Sequence, residues 1–258
     1  MNKMTSAPAI LWLIAVLAGS MPAADTPAGS PEPTSPDQIL ANYLHALGGR
    51  ETLQKVTSRV IKGTLEIPGV NQPCAYEVCT KAPNKKLTSM EVPRLGTMLE
   101  GCNGKVCWSR NYSSSVTEKT GQELARARRE AEFYRDLRFK ELFPRLAYKG
   151  LQNVYGRDAC VIEAGAVDGT VEQFYFDAQT WLLVRNDSET RGPDGVTRFQ
   201  VRFSGHRAVD GIQVPHQVNV TILPAKGNEI RLNAKFTEVK HNVAIDDTRF
   251  EKPKSRSP

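Results

Sequence analysis

The sequence predicts a mainly β fold with added helices (α+β), built on an antiparallel sheet of about 10–12 strands with one apolar face. Three observations predict it. First, four stretches alternate apolar with polar residues: Ile61-x-Gly63-x-Leu65-x-Ile67, Phe199-x-Val201-x-Phe203, Val218-x-Val220-x-Ile222 and Ile230-x-Leu232-x-Ala234-x-Phe236. Strand side chains point alternately to opposite faces, so such stretches belong to strands with one solvated face. Second, turn pairs punctuate the chain after Pro144 at short intervals, among them Gly156-Arg157, Asp168-Gly169, Asp210-Gly211 and Gly227-Asn228. Short connections favour an up-and-down meander. Third, helical patterning is confined to a short N-terminal segment and one central stretch. That is modest cover for a wide apolar face, which must be closed by helices, a second sheet or a ligand.

The elements follow in order. Lys3 is the sole side-chain charge before Asp25, and an apolar run, Ile10 to Ala18, leads to small residues at Gly19, Ser20, Ala23 and Ala24. This is the order of a cleaved secretory signal peptide, expected over 1–24. The run is shorter than the ~20 residues of a membrane span. No cysteine precedes Cys74, so no new N-terminal cysteine is available for lipidation. Five prolines between Pro22 and Pro36 make 25–36 a flexible linker. The folded domain is expected over 37–250, with a disordered tail over 251–258.

Ser35-Pro36-Asp37 supplies a cap, a tolerated proline and a favourable charge for a first helix. Ile39, Leu40, Tyr43, Leu44 and Leu47 line one face of it, and Gly48-Gly49 ends it. A short second helix spans 51–56. Strands follow to Arg110, and Asn103-Gly104 marks a hairpin between 98–102 and 105–110. Residues 122–143 read as the central helix, with opposite charges at Arg126/Glu130, Arg128/Glu132 and Asp136/Lys140. Its first stripe (Leu124, Ala127, Ala131, Tyr134) and its second (Phe139, Leu142, Phe143) lie on different faces, which predicts a bend near 135–138. Strands are then expected at 146–154, 158–165, 170–177, 181–188, 196–207, 212–223 and 228–241.

The formal charge of +6 becomes +5 without Lys3, with 33 basic against 28 acidic residues. The basic residues are dispersed, whereas nucleic-acid binding needs a concentrated patch. Charge therefore serves solubility and, at most, peripheral contact with anionic surfaces. Five cysteines stand at 74, 79, 102, 107 and 160. Paired zinc ligands are usually spaced by two to four residues, so the two Cys-x4-Cys pairs do not suggest a metal site. In an exported chain, Cys74, Cys79, Cys102 and Cys107 are disulfide candidates, for example between the 74–79 and 102–107 segments, with buried thiols as the alternative. Cys160 is then the odd one. The four histidines, at 45, 206, 216 and 241, form no helical metal-binding pair. There is no nucleophile elbow, phosphate-binding loop or dinucleotide fingerprint, and Asp177, Asp210, Asp246 and Asp247 sit where turns favour Asp. The reading is non-enzymatic, with no cofactor and no metal.

What remains is the apolar face. Met98, Trp108, Phe133, Tyr134, Phe139, Phe143, Phe174 and Phe176 are the candidate lining of a lipid-sized cavity, with Arg135 and Arg138 as candidate headgroup contacts.

The order of several segments resembles the LolA/LolB-like outer-membrane lipoprotein-sorting family. They are Ile39-Leu-Ala-Asn-Tyr-Leu-His-Ala-Leu-Gly-Gly49, Val60-Ile-Lys-Gly-Thr-Leu65, Lys81-Ala-Pro83, Asn103-Gly-Lys-Val-Cys-Trp108, Phe174-Tyr-Phe-Asp-Ala-Gln-Thr-Trp-Leu-Leu183, Val209-Asp-Gly-Ile-Gln-Val-Pro215 and Phe250. The resemblance runs over 37–250. It implies a curved antiparallel half-barrel whose concave apolar face, under helices, shields acyl chains. It also implies a periplasmic, monomeric carrier whose partner is a lipid or an acylated lipoprotein. Some proteins of this shape act as envelope sensors, so a protein–protein role in the cell envelope is the alternative; a third reading, a hydrolase or metal enzyme, requires a His/Asp or Cys cluster brought together only in space.

Overall fold

The structure, a computed structural model, describes residues 35–254. The expected signal peptide and nearly all of the proline-rich linker lie outside the described residues. The described chain packs as two compact units: residues 56–135 with 234–254, and residues 35–55 with 136–233.

The first unit contains β1 (Ser58–Glu66), β2 (Cys74–Lys81), β3 (Lys85–Val92), β4 (Gly96–Cys102), β5 (Cys107–Arg110), β6 (Val116–Glu118) and helix α3 (Gly121–Ala131). The second contains α1 (Pro36–Ala46), α2 (Arg50–Lys55), α4 (Phe139–Leu142), β7 (Arg145–Val154), β8 (Arg157–Gly165), β9 (Val171–Asp177), β10 (Leu183–Gly192), β11 (Gly195–Val209) and β12 (Ile212–Leu223). Strand β13 (Ile230–His241) contributes to both, through 230–233 and 234–241. The ladder order is β6-β5-β4-β3-β2-β1-β13-β12-β11-β10-β9-β8-β7, and its terminal strands do not pair with each other. It is an unclosed sheet of thirteen strands, one more than the sequence predicts at most. The short β6 carries no alternation that would announce it.

Local chemistry explains the helix limits. Ser35 Oγ accepts from Gln38 N at 3.3 Å, capping α1 with Pro36 in its first turn. Gly48 (φ +118°) and Gly49 (φ +85°) terminate it. A Cβ on Gly48 would lie 2.1 Å from the carbonyl oxygen of Gly211, so glycine lets the helix end meet the β11–β12 turn. Leu47 O then accepts from Gln213 N at 3.1 Å.

The expected central helix is two helices. Helix α3 stops at Ala131 because Glu132 turns extended (φ −60°, ψ 115°) and Phe133 N bonds Pro83 O at 2.9 Å in the β2–β3 turn. The break therefore starts earlier than 135–138, and only four residues resume as α4. Of the expected helical pairs, Arg126–Glu130 forms at 2.8 Å. Arg128 instead donates to Lys105 O at 2.8 Å, and Asp136 accepts from Tyr43 Oη at 2.9 Å.

Alternation divides the first unit's residues between two faces. Register aligns Val60 with Cys79, Cys79 with Leu87, Leu87 with Gly101 and Gly101 with Trp108 on one face. The other face carries Ile61, Val78, Tyr76, Met90, Met98 and Glu100. In the second unit, Cys160, Ile162, Phe174, Phe176, Val201, Phe203, Val218 and Val220 are buried on a single face. No described helix is long and apolar enough to cross a membrane.

Candidate functional site

The second unit's apolar face is built by β8 to β12, whose inward residues are all but inaccessible. Its cover is short. From α1, Tyr43 sets its ring 5.0 Å from Phe176. From α4 and its C-terminal flank, Phe139 and Phe143 close a triangle on Phe174, with centroid separations of 4.9, 5.0 and 5.3 Å. The two edge-on pairs, Phe139–Phe174 and Phe143–Phe174, add roughly 0.5–1.5 kcal/mol each beyond area burial. Helix α4 itself is one turn long, and isolated turns are unstable in water. Its two phenylalanines and the exposed pair Lys140–Asp37 (3.0 Å) hold it down.

The predicted lining residues fall in both units. Phe139, Phe143, Phe174 and Phe176 belong to the second unit; Met98, Trp108, Phe133 and Tyr134 belong to the first. Within the first unit, Met98 and Trp108 lie on opposite faces of the sheet. Trp108 is 1% exposed, packed among Val60, Cys79, Leu87, Ile245 and Phe250, and donates Nε1–H to Phe250 O at 3.1 Å. Gly101 makes room for it, since a Cβ there would sit 2.5 Å from the indole. Trp108 thus anchors the C-terminal segment, whose 3-10 turn (Asp247–Phe250) is capped by Asp246 accepting from Thr248 N at 2.8 Å. Beyond it, Asn103 donates to Glu251 at 2.8 Å and Lys252 pairs with Glu118, so the expected tail begins with anchored residues. Phe133 and Tyr134 are half-buried in an edge-on pair, with Arg59 over Phe133 at 5.7 Å. Arg138 is exposed and bound to Glu141 at 2.7 Å, whereas Arg135 is half-buried and acts electrostatically on Glu130 and Lys86.

The cysteines are paired differently from the example offered by the sequence. Cys102 and Cys107 are disulfide-bonded to each other, while Cys74, Cys79 and Cys160 are buried thiols outside any disulfide. The Cys-x4-Cys spacing of 102 and 107 spans the β4–β5 hairpin, where the two cysteines stand opposite each other in register. Burial, reinforced by a hydrogen bond to Glu77, pushes the Cys79 thiol up to about 12, so it is inert rather than nucleophilic.

A feature the sequence reading missed is a buried charge cluster in the first unit. Lys86 and Glu100 are each 1% exposed on the face of Met98. Glu100 accepts from Lys119 at 3.5 Å, and Lys119 also pairs with Glu123 of α3. Burial drives the Glu100 carboxyl well above the usual range, against the pull of Lys119, and draws Lys86 down to about 8. For Glu130, burial works upward, but Arg126 and Lys86 outweigh it and leave that carboxyl lowered. The alternation Met98-x-Glu100-x-Cys102 was a legible signal that Glu100 points inward.

A raised folded pKa means stability that is full below the unfolded carboxylate value and is lost as pH rises through the folded value. Glu100→Gln is therefore expected to gain stability relative to wild type between about pH 5 and about pH 8. Urea unfolding of both proteins at those two pH values checks it; a difference independent of pH would sink the assignment of a protonated Glu100.

Among the described residues no group of three or more His, Cys, Asp or Glu side chains could hold a metal ion.

No protein-family model matches this sequence, and no curated protein matches it either. Solved structures do share its fold. A DUF1329 family protein from Desulfovibrio piger superposes with a TM-score of 0.58 at 14% identity, covering 83% of this chain and 96% of that one. An outer membrane lipoprotein-sorting protein domain from Vibrio parahaemolyticus gives 0.57 at 10% identity, with 83% and 96% covered. A LolA superfamily protein from Nitrosomonas europaea gives 0.54 at 12% identity, with 84% and 97% covered. At such identities the likeness defines the fold: this chain has the LolA-like α+β architecture.

Proposed function

We propose that this protein is a non-enzymatic carrier that shields the acyl chain of a lipid or lipoprotein against the apolar face of its second unit. The observation that carries this reading is the nature of the cover. A buried face, apolar except where Asn186 stands between Phe174 and Val201 and bonds Glu172 at 3.3 Å, is closed at α4 by one helical turn held mainly through Phe139 and Phe143. An acyl chain would lift these rings and replace them like for like. Re-exposing two phenylalanine side chains costs about 1.5–3 kcal/mol each, and each methylene buried returns about 0.8 kcal/mol. Chains beyond roughly eight methylenes therefore outcompete the rings, and shorter ones do not. The carrier role, export to the periplasm and peripheral contact with the membrane agree with the lipoprotein-sorting description of the Vibrio protein that shares the fold.

One observation favours a second reading, in which the protein is an envelope sensor or complex subunit. The ring cluster is already completely packed, with Phe143 and Phe176 at 0% exposure.

Native mass spectrometry decides between them, on protein expressed from its full-length gene and incubated with long-chain phospholipid. The carrier reading expects a stoichiometric adduct that organic extraction resolves into phospholipid or acylated peptide. A clean apo mass after incubation overturns it in favour of the protein–protein reading.

A further inference from the structure

The second unit holds a cavity of about 260 Å³ lined from the sheet face opposite the aromatic cluster. Ala159 and Arg157 alternate with Cys160, and Arg202 and Ser204 alternate with Phe203, so this cavity lies away from the Phe174 side. We propose that it is a separate binding site for a small carboxylate with an apolar body. This does not rest on the carrier reading.

The chemistry of the lining specifies that class. Val154, Ala159, Leu182 and Val184 provide apolar wall, and Val154 and Ala159 belong to a local apolar cluster with Val161 and Tyr175. An apolar cavity of about 150 Å³ holds benzene, so this volume admits a ligand of benzoate size. The built-in charges are mostly spent. Asp177 accepts from Gln179 N, Thr180 N and Thr180 Oγ1 at 2.8–3.0 Å and is bridged by Arg157 at 2.9 Å. Asp158 also borders the cavity, but its position alternates with Ala159, which directs its side chain to the other face.

Arg202 is different. It makes no ion pair among the described residues; its guanidinium stacks over the Tyr155 ring, 4.0 Å from the centroid. Stacking leaves the planar N–H fork open at its edge, where a carboxylate is bound through two parallel hydrogen bonds. The ring that holds it is itself held in a demanding position. Tyr155 has φ +55° and Gly156 φ +83° in the two-residue β7–β8 turn. Bulky residues rarely adopt that conformation, and such positions cluster at ligand sites. His206, buried at the cavity, stays uncharged at neutral pH: burial and the neighbouring His216 lower it to about 4, against Leu183 and Asp177. Arg202 is therefore the cation left to select an anion.

Benzoate and its neutral isostere benzamide are the probes, titrated by two-dimensional NMR into the full chain and its Arg202→Gln variant. Arg202 is exposed, so the variant keeps its fold, which its unperturbed spectrum elsewhere verifies. The expected result is benzoate shifts centred on the amides of Tyr155, Gly156, Ser204 and Gly205, with benzamide at least about tenfold weaker. Arg202→Gln should erase that difference. Equal binding of the two probes, or a preference untouched by Arg202→Gln, overturns the proposal. Shifts centred on Phe139 and Phe174 also overturn it, while leaving the carrier reading intact. Arg202-dependent benzoate binding in a protein that takes up no phospholipid would leave this site standing and the carrier reading refuted.

Discussion

Phe139→Ala is expected to lower the stability of the second unit by about 3–5 kcal/mol, the usual loss for a buried phenylalanine, and at the same time to raise uptake of long-chain lipid. Both effects follow from one contact set. Phe139 touches Phe143 and Phe174 at ring separations of 5.0 and 4.9 Å, so its removal leaves a dry cavity against the sheet. An apolar cavity is costly when empty and accepts apolar guests. Urea titration reads the first effect and native mass spectrometry with phospholipid reads the second. If the variant loses stability while lipid occupancy is unaltered, the ring cluster is ordinary core and the acyl seat is misplaced.

Trp108→Ala should lose a similar amount, about 3–5 kcal/mol, but with the opposite functional signature. The indole packs on Phe250 and Ile245 and donates to the Phe250 carbonyl, so its loss frees the C-terminal segment. Limited proteolysis should then cut after His241 in the variant and spare wild type, with lipid occupancy retained. A variant that keeps its stability yet loses lipid would mean that the acyl chain lies in the first unit against Trp108.

These two aromatic residues show how far the sequence is legible. Both are large, apolar and on regular elements, and composition treats them alike. Register separates Trp108 from another predicted lining residue, Met98: the two are ten residues apart across a hairpin, and the pairing of Gly101 with Trp108 places them on opposite faces. The disulfide follows the same rule. Cys102 and Cys107 flank the Asn103-Gly104 turn, and strand register brings them into direct opposition. Glu100 was readable from its neighbours Met98 and Cys102. Its burial against Lys119 was not, because that depends on where α3 comes to rest. The cavity at Arg202 joins three separate hairpins and has no contiguous motif.

By itself the sequence determined the antiparallel α+β class, most strand limits after Pro144, the cap and glycine stop of α1, and the interruption of the central helix. These depend on alternation, turn chemistry and capping, which act over a few residues and are written in order along the chain. Only the tertiary structure decided which residues share a face and which charges are buried. It also decided which cysteines meet and where cavities open, because each depends on register and packing between segments far apart in sequence.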